Sequence, residues 1–323
     1  MDKIRVWIII LGMGLPFANA QDRVSANATY LDLVYKIESQ DTLKLDLFLP
    51  DERFGKQFPL LIIIHGGAWV AGDKGLESNY YMRQMKHRLL ASGIAVASID
   101  YRLLSKTMHF PAPIQDGNDA VNWLFEHAEQ YRIDTNNVGL WGGSAGGHLA
   151  MLIAYADPQE FAEAQHPREK VFPIRYVVNN FGPTDLNSLF KIEMGRMGVL
   201  FFKLFINKLY VAREQLTYAL TGLHLQEELE ALKHANTHYS PLNYIDESTA
   251  PTLIFHGTKD RIVPFSQSKE LKSRLDAHGV QNELIPISGG DHGFNNITEN
   301  RLDHIVEQTI DFIFRQKQHY PSP

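Results

Sequence analysis

No cysteine occurs anywhere in the 323-residue chain. Disulfides, thiolate metal sites and a cysteine nucleophile are therefore excluded, and any fold must be held by its core alone. No apolar run approaches the roughly 20 residues that a membrane-spanning helix needs. The 14 histidines are scattered, without His-Glu-x-x-His or similar spacing, so no metal or other cofactor is expected. Positive charge is not in excess: the formal net charge is −6, which gives nucleic acid no electrostatic reason to bind. Low-complexity tracts, internal repeats and a linker that would split the chain are absent as well.

What is present begins with a targeting pattern. Lys3 and Arg5 precede an apolar run from Val6 to Leu15, and Ala18-Asn19-Ala20 supplies small residues at a cleavage position. Residues 1–20 are expected to be a secretory signal cleaved after Ala20, with an uncleaved anchor as the alternative. A periplasmic or extracellular location follows, with residues 21–323 forming one large domain and no stable membrane span.

Short β-branched runs alternate with helical stretches. The predicted strands are Thr29–Ile37, Leu43–Leu49, Leu60–His65, Ile94–Asp100, Val138–Trp141, Tyr176–Phe181, Thr252–His256 and Glu283–Ile287. Leu60 to Ile64 is apolar on both faces, which suits a central parallel strand covered on each side. The helical patterns between them are Tyr80–Ser92, Pro113–Tyr131, Gly146–Tyr155 and Ser266–Ala277, so the class is α/β with a mostly parallel eight-stranded sheet flanked by helices. The first two strands are separated by a short polar turn and should pair antiparallel. From Leu186 to Tyr239 there is helical material only, including Met194, Met197, Phe201, Phe202, Leu204 and Phe205. This insertion between strands six and seven (186–239) reads either as packing helices or as a cap over a site.

Trp141-Gly142-Gly143-Ser144-Ala145-Gly146-Gly147 follows a strand and opens a helix. Its Gly-x-Ser-x-Gly core places a serine in a sharp strand-to-helix turn, where a Cβ two residues before or after would collide with backbone. Alone the pattern is weak; its flanking elements strengthen it. Ser144 is the expected nucleophile.

His65-Gly66-Gly67-Ala68-Trp69 follows the central strand, and its amides can turn toward an oxyanion. The expected donors are the amides of Gly67, Ala68 and Ala145. His65 precedes the nucleophile and is read as a brace for this loop rather than as the base. Asp260, in the loop after the seventh strand, and His292, in Gly290-Asp291-His292-Gly293 after the eighth, complete the order serine, acid, histidine. Asp185, at the end of the sixth strand, is the rival acid and a candidate pocket residue. Trp69 either lines the substrate pocket or packs under its loop. Asp291 is expected to face away from the site, Arg102 to form a bracing ion pair, and Asp73 and Lys74 to be solvated.

These segments together resemble the hormone-sensitive-lipase-like carboxylesterases, with the bacterial branch of feruloyl and acetylxylan esterases and kynurenine formamidases nearest in look. The motifs are His65-Gly66-Gly67-Ala68-Trp69, Asp100-Tyr101-Arg102-Leu103, Gly142 to His148, His256 to Pro264, and Asp291-His292-Gly293-Phe294. The resemblance runs from about Leu43 to Phe314 and implies an α/β-hydrolase fold. Together with the serine, acid and histidine order and the N-terminal export pattern, it points to a secreted serine hydrolase acting on short or aromatic acyl esters, small or glycan-linked. Amide or peptide hydrolysis by the same residues is the alternative, and a catalytically silent binding module the remaining one. Ala68 departs from the family's third glycine, and the segment 186–239 matches no family pattern.

Overall fold

The computed structural model describes residues 28–38, 41–162, 173–192, 207–225 and 227–317. The expected signal segment and the residues from Met194 to Phe205 lie outside the described residues. Eight strands are formed: β1 (Thr29–Glu38), β2 (Asp41–Phe48), β3 (Phe58–Ile64), β4 (Ala95–Ile99), β5 (Ile133–Gly143), β6 (Tyr176–Asn180), β7 (Thr252–Gly257) and β8 (Asn282–Ile287). They make one sheet in the order β1-β2-β4-β3-β5-β6-β7-β8. Only the pairings of β2, with β1 and with β4, are antiparallel; the rest are parallel.

All seven residues of β3 are buried, because the two faces of the sheet are both covered. Leu60, Ile62 and Ile64 face one core with α2 (Ala112–Glu126) and α3 (Ala145–Tyr155), while Leu61 and Ile63 face the other. That second core contains residues of α1 (Tyr80–Ala91) and of the long C-terminal helix. α1 starts where the Asn79 side chain accepts the Met82 amide hydrogen, a side-chain N-cap. α3 is buried along its whole length, as its nearly all-apolar sequence requires.

Between β6 and β7 the described residues include three α-helices, α4 (Leu186–Leu189), α5 (Asn207–Thr221) and α6 (Leu229–His238), and no strand. The insertion is tied to the sheet domain by Phe110 N–H to the Leu220 carbonyl (2.9 Å) and by His148 Nε2 to the Tyr239 carbonyl (2.7 Å). After β7 come α7 (Phe265–Ala277) and, beyond β8, α8 (Glu299–Gln316). In α8, Ile305, Val306, Thr309, Phe312 and Ile313 form the buried stripe, at spacings of three and four residues. Among the described residues no helix is long and apolar enough to cross a membrane.

Candidate active site

Parallel strands all end at one edge of the sheet, and the loops leaving β3, β5, β7 and β8 meet there. Ser144 lies between β5 and α3 at φ 55° and ψ −122°, a conformation that L-residues rarely hold. The turn is compressed on both sides. A Cβ on Gly142 would sit 2.1 Å from the Gly146 carbonyl oxygen, and one on Gly146 would sit 2.0 Å from that of Ile64. Glycine at these two positions is thus required by backbone approach, and Ser144 is lifted above the strand end. Its amide is anchored to the Asn180 carbonyl at 2.9 Å, at the end of β6.

The loops after β7 and β8 are zipped together as a continuation of the sheet. Thr258 N–H donates to the Ile287 carbonyl (3.0 Å) and Lys259 N–H to that of Gly290 (2.9 Å). This brings residues 32 positions apart into contact, His292 Nδ1 lying 2.8 Å from Asp260 Oδ2; on its other side His292 Nε2 lies 2.9 Å from Ser144 Oγ, 148 positions away. The other carboxylate oxygen, Oδ1, accepts the amide hydrogens of Ile262 and Val263, both at 2.9 Å. Burial works to raise the Asp260 carboxyl. The hydrogen bonds from His256, His292 and the Ile262 amide outweigh it and hold the group well below the usual carboxylate range. The imidazole of His292 is also held by the edge of Phe181, with ring centroids 4.8 Å apart.

Gly67 and Ala68 are exposed, and no acceptor among the described residues takes the amide hydrogens of Gly67, Ala68 or Ala145. Ala145 begins α3, so its amide belongs to the free first turn of that helix. The loop bearing Gly67 closes on itself through Val70 and Ala71 N–H to the Gly67 carbonyl. His65 braces it from below: its Nδ1 meets the Gly66 carbonyl at 2.8 Å and its ring stacks on Tyr101 at 4.2 Å. Burial pushes His65 below the ordinary imidazole value, which favours a neutral ring in this bracing role.

Several expected site residues fall elsewhere. Trp69 is 2% exposed and packs beneath its loop, edge-on to Phe110 and His148, so it is part of the core and not of an open pocket wall. Asp185 is not brought to the imidazole. Its carboxylate caps α4 through the Ser188 amide (3.1 Å), in a cleft shared with Asn187, Glu270 and Arg274. The local helix start consumes that side chain. Lys74, expected to be solvated, is paired with Asp46 (2.8 Å) and Asp32 (3.1 Å). Asp291 does face away, accepting the Asn295 amide hydrogen. Arg102 makes a two-pronged ion pair with the fully buried Asp116, joined by Lys36. Sequence reasoning missed Phe181 and assigned no role to His256, four residues before the acid. A cavity of about 540 Å³ runs from Val70, in the loop after β3, to α5, with Leu104, Leu216 and Tyr218 beside Lys106 and Gln215 in its lining.

Comparison with known proteins places this geometry. The BD-FAE family model matches residues 45–275. The chain belongs to the BD-FAE family. As a BD-FAE protein it has the α/β-hydrolase fold, with the sheet order and flanking helices described above. Esterase LipC of Mycobacterium tuberculosis is 28% identical over 254 residues, covering 78% of this chain and 57% of that protein. A probable isoprenylcysteine alpha-carbonyl methylesterase of Oryza sativa subsp. japonica is 26% identical, covering 84% of this chain and 60% of its own length. The chain thus spans little more than half the length of these curated relatives. Among solved structures, a truncated carbohydrate esterase from gut microbiota superposes with a TM-score of 0.68 at 25% identity, covering 90% of this chain and 96% of that one. An esterase of the planctomycete Thermogutta terrifontis, solved with propionate bound, has the same fold with a TM-score of 0.67 at 21% identity, covering 94% and 98%.

Proposed function

We propose that this BD-FAE protein is a serine esterase that cleaves carboxylic esters through an acyl-enzyme. The observation that carries the reading is the unbroken line Ser144 Oγ, His292, Asp260, at 2.9 and 2.8 Å, beside three amides without acceptors. Asp260 Oδ2 accepts from Nδ1–H, so Nε2 carries a lone pair toward Ser144 Oγ. His292 takes the serine proton as Oγ attacks the ester carbonyl, and the amides of Gly67, Ala68 and Ala145 receive the developing oxyanion. The imidazolium returns its proton to the departing alcohol. Water then repeats the sequence on the acyl-enzyme with His292 again as base. Relatives named as esterases, a carbohydrate esterase among them, support an ester as the substrate.

An ester of a short or aromatic acyl group is the class that the carbohydrate esterase among the similar structures favours for this chain. Glycan-linked acetyl or feruloyl esters belong to this class, and the N-terminal pattern of Lys3, Arg5 and Ala18 to Ala20 supports export to where such substrates occur. The test is hydrolysis of nitrophenyl acetate, butyrate and ferulate against N-formyl amides, with Ser144→Ala as control. Ester turnover that vanishes in Ser144→Ala, with fluorophosphonate labelling lost in parallel, is the expected result. Absence of ester hydrolysis and of labelling in the wild type would remove the reading, and faster amide than ester cleavage would redirect it.

A further inference from the structure

His256 closes β7 and is fully buried, yet the reaction sequence gives its imidazole no step. Its surroundings are specific. Nε2 lies 2.8 Å from the Val263 carbonyl and 3.3 Å from Asp260 Oδ2, while Nδ1 lies 2.6 Å from Ser268 Oγ on α7. Carbonyl and carboxylate are both acceptors, so Nε2 must carry the hydrogen. In the neutral ring Nδ1 then accepts the Ser268 hydroxyl hydrogen. The Phe265 ring stands edge-on at 5.6 Å and closes the ring's remaining side.

This one side chain therefore fastens both ends of the loop from Gly257 to Pro264. It grips the Val263 carbonyl, and the amide of the same Val263 holds Asp260 Oδ1 at 2.9 Å. It also presents an N–H to the very carboxylate oxygen that orients His292. We infer that His256 is a positioning residue for the acid: with Ser268 fixing its tautomer, it sets the angle at which Asp260 addresses His292. The inference rests on the esterase reading above. A loop of eight residues bearing one carboxylate has many orientations, and only a narrow range aligns Oδ2 with Nδ1–H.

Among the described residues, the side chains that hydrogen-bond or pack a ring against the His292 imidazole are Ser144, Asp260 and Phe181. A carboxylate turned away from that ring weakens its support of the imidazolium, so the base loses basicity as well as alignment. Three variants separate this role from simple packing. In His256→Leu the N–H is lost at similar volume. His256→Gln keeps an N–H that can reach the Val263 carbonyl. Ser268→Ala removes only the tautomer control.

Turnover of nitrophenyl butyrate is measured per active site titrated with a fluorophosphonate, across the acid limb of the pH profile. The expected result for His256→Leu is a kcat lower by about 100-fold, as for a misplacement on the ångström scale, with KM little changed and the acid limb moved to lower pH. His256→Gln should recover most of the rate and the position of the limb, and Ser268→Ala should fall between them. An unchanged kcat per titrated site and an unmoved limb in His256→Leu would overturn the inference, even if that variant melts earlier. So would a glutamine variant no better than leucine. A wild type that hydrolyses ester while these variants match it refutes only the role of His256; a wild type that does not refutes the esterase reading.

Discussion

Replacing Asp260 by asparagine changes one atom, and the structure determines which way the new amide must point. Oδ1 accepts two backbone hydrogens, from Ile262 and Val263, each at 2.9 Å. An amide NH₂ there would face two fixed backbone donors, whereas at the Oδ2 position it faces one, the His256 Nε2–H at 3.3 Å, beside an imidazole that can change tautomer, so the carbonyl oxygen takes the Oδ1 position. The NH₂ then lies where Oδ2 was, 2.8 Å from His292 Nδ1. A donor at that point can be accepted only by an unprotonated Nδ1, which drives the ring to its Nε2–H tautomer. That hydrogen faces Ser144 Oγ at 2.9 Å, and the ring can no longer take the serine proton. A wrong-tautomer base lowers kcat by about 10⁴, or about 5 kcal/mol at 1.36 kcal/mol per tenfold. KM should change little, because no substrate contact is lost. The assay is steady-state hydrolysis of nitrophenyl butyrate beside the second-order rate of fluorophosphonate labelling, with circular dichroism to verify the fold. A folded Asp260→Asn variant within tenfold of wild type in both rates would refute the orientation argument and the role of the acid with it.

Three further outcomes follow from other parts of the molecule. Gly146→Ala would put a Cβ 2.0 Å from the Ile64 carbonyl oxygen and 2.6 Å from that of His65; since both are backbone, the elbow must shift, and both fluorophosphonate labelling and ester turnover should fall together. Asp116→Asn removes the fully buried counter-charge of Arg102 and Lys36, which keep Glu38 and Asp119 as partners, and urea unfolding should register a loss of about 2 kcal/mol, as for a hydrogen bond to a charged group. Burial lowers His148 from 6.5 to about 4, so the unfolded chain binds the proton first; the stability is whole above the ordinary histidine value and drains away as pH falls toward about 4. Between pH 7 and pH 5 this one group should remove about 2 kcal/mol, and His148→Gln should flatten that part of the stability profile in parallel urea titrations.

The sheet was readable because its strands carry their burial in their composition. Five consecutive apolar residues from Leu60 to Ile64 leave no polar face, and that strand is the covered centre of the sheet. Gly142 was readable for the same kind of reason, because the Gly146 carbonyl that excludes its Cβ lies four residues on; Gly146 is instead held small by the Ile64 and His65 carbonyls from across the fold, and its place in the Gly-x-Ser-x-Gly pattern is what made it visible. Contacts made across the fold leave no such mark. Nothing near Lys74 announces Asp32 and Asp46, which come from β1 and β2. Trp69 could not be assigned to pocket or core until Phe110 and His148 were seen against it. Asp185 and Asp260 both follow a strand, and only the pairing of the β7 and β8 loops decides which carboxylate reaches the imidazole. The final helix α8 is a different case. Its stripe of Ile305, Val306, Phe312 and Ile313 is periodic, but charged residues between them dilute it.

Backbone strain gives an independent argument for where function resides. Non-glycine residues at positive φ include Ala68 (52°), Trp69 (63°), Ser144 (55°), Phe181 (45°) and Phe294 (59°). These five come from four separate loops, after β3, β5, β6 and β8, and all four loops leave the sheet at the same edge. Such a conformation costs about 1–3 kcal/mol per residue, and of the eight such residues among those described five gather at this edge, Asp32, Arg132 and Lys191 lying elsewhere. Two of these loops are fastened at their base: β3 is buried throughout, and Ser144 is tied to β6 through Asn180. Ala68 illustrates the point best, since a glycine would hold φ 52° without strain, and the chain keeps a Cβ there. The strained loops carry the amides of Gly67 and Ala68, the Ser144 hydroxyl, the Phe181 ring and the imidazole of His292. On the proposed esterase reading, a sheet edge that holds these groups in place before substrate arrives leaves little reorganisation to perform when charge develops on the ester oxygen, which is the condition under which fixed dipoles stabilise a transition state most.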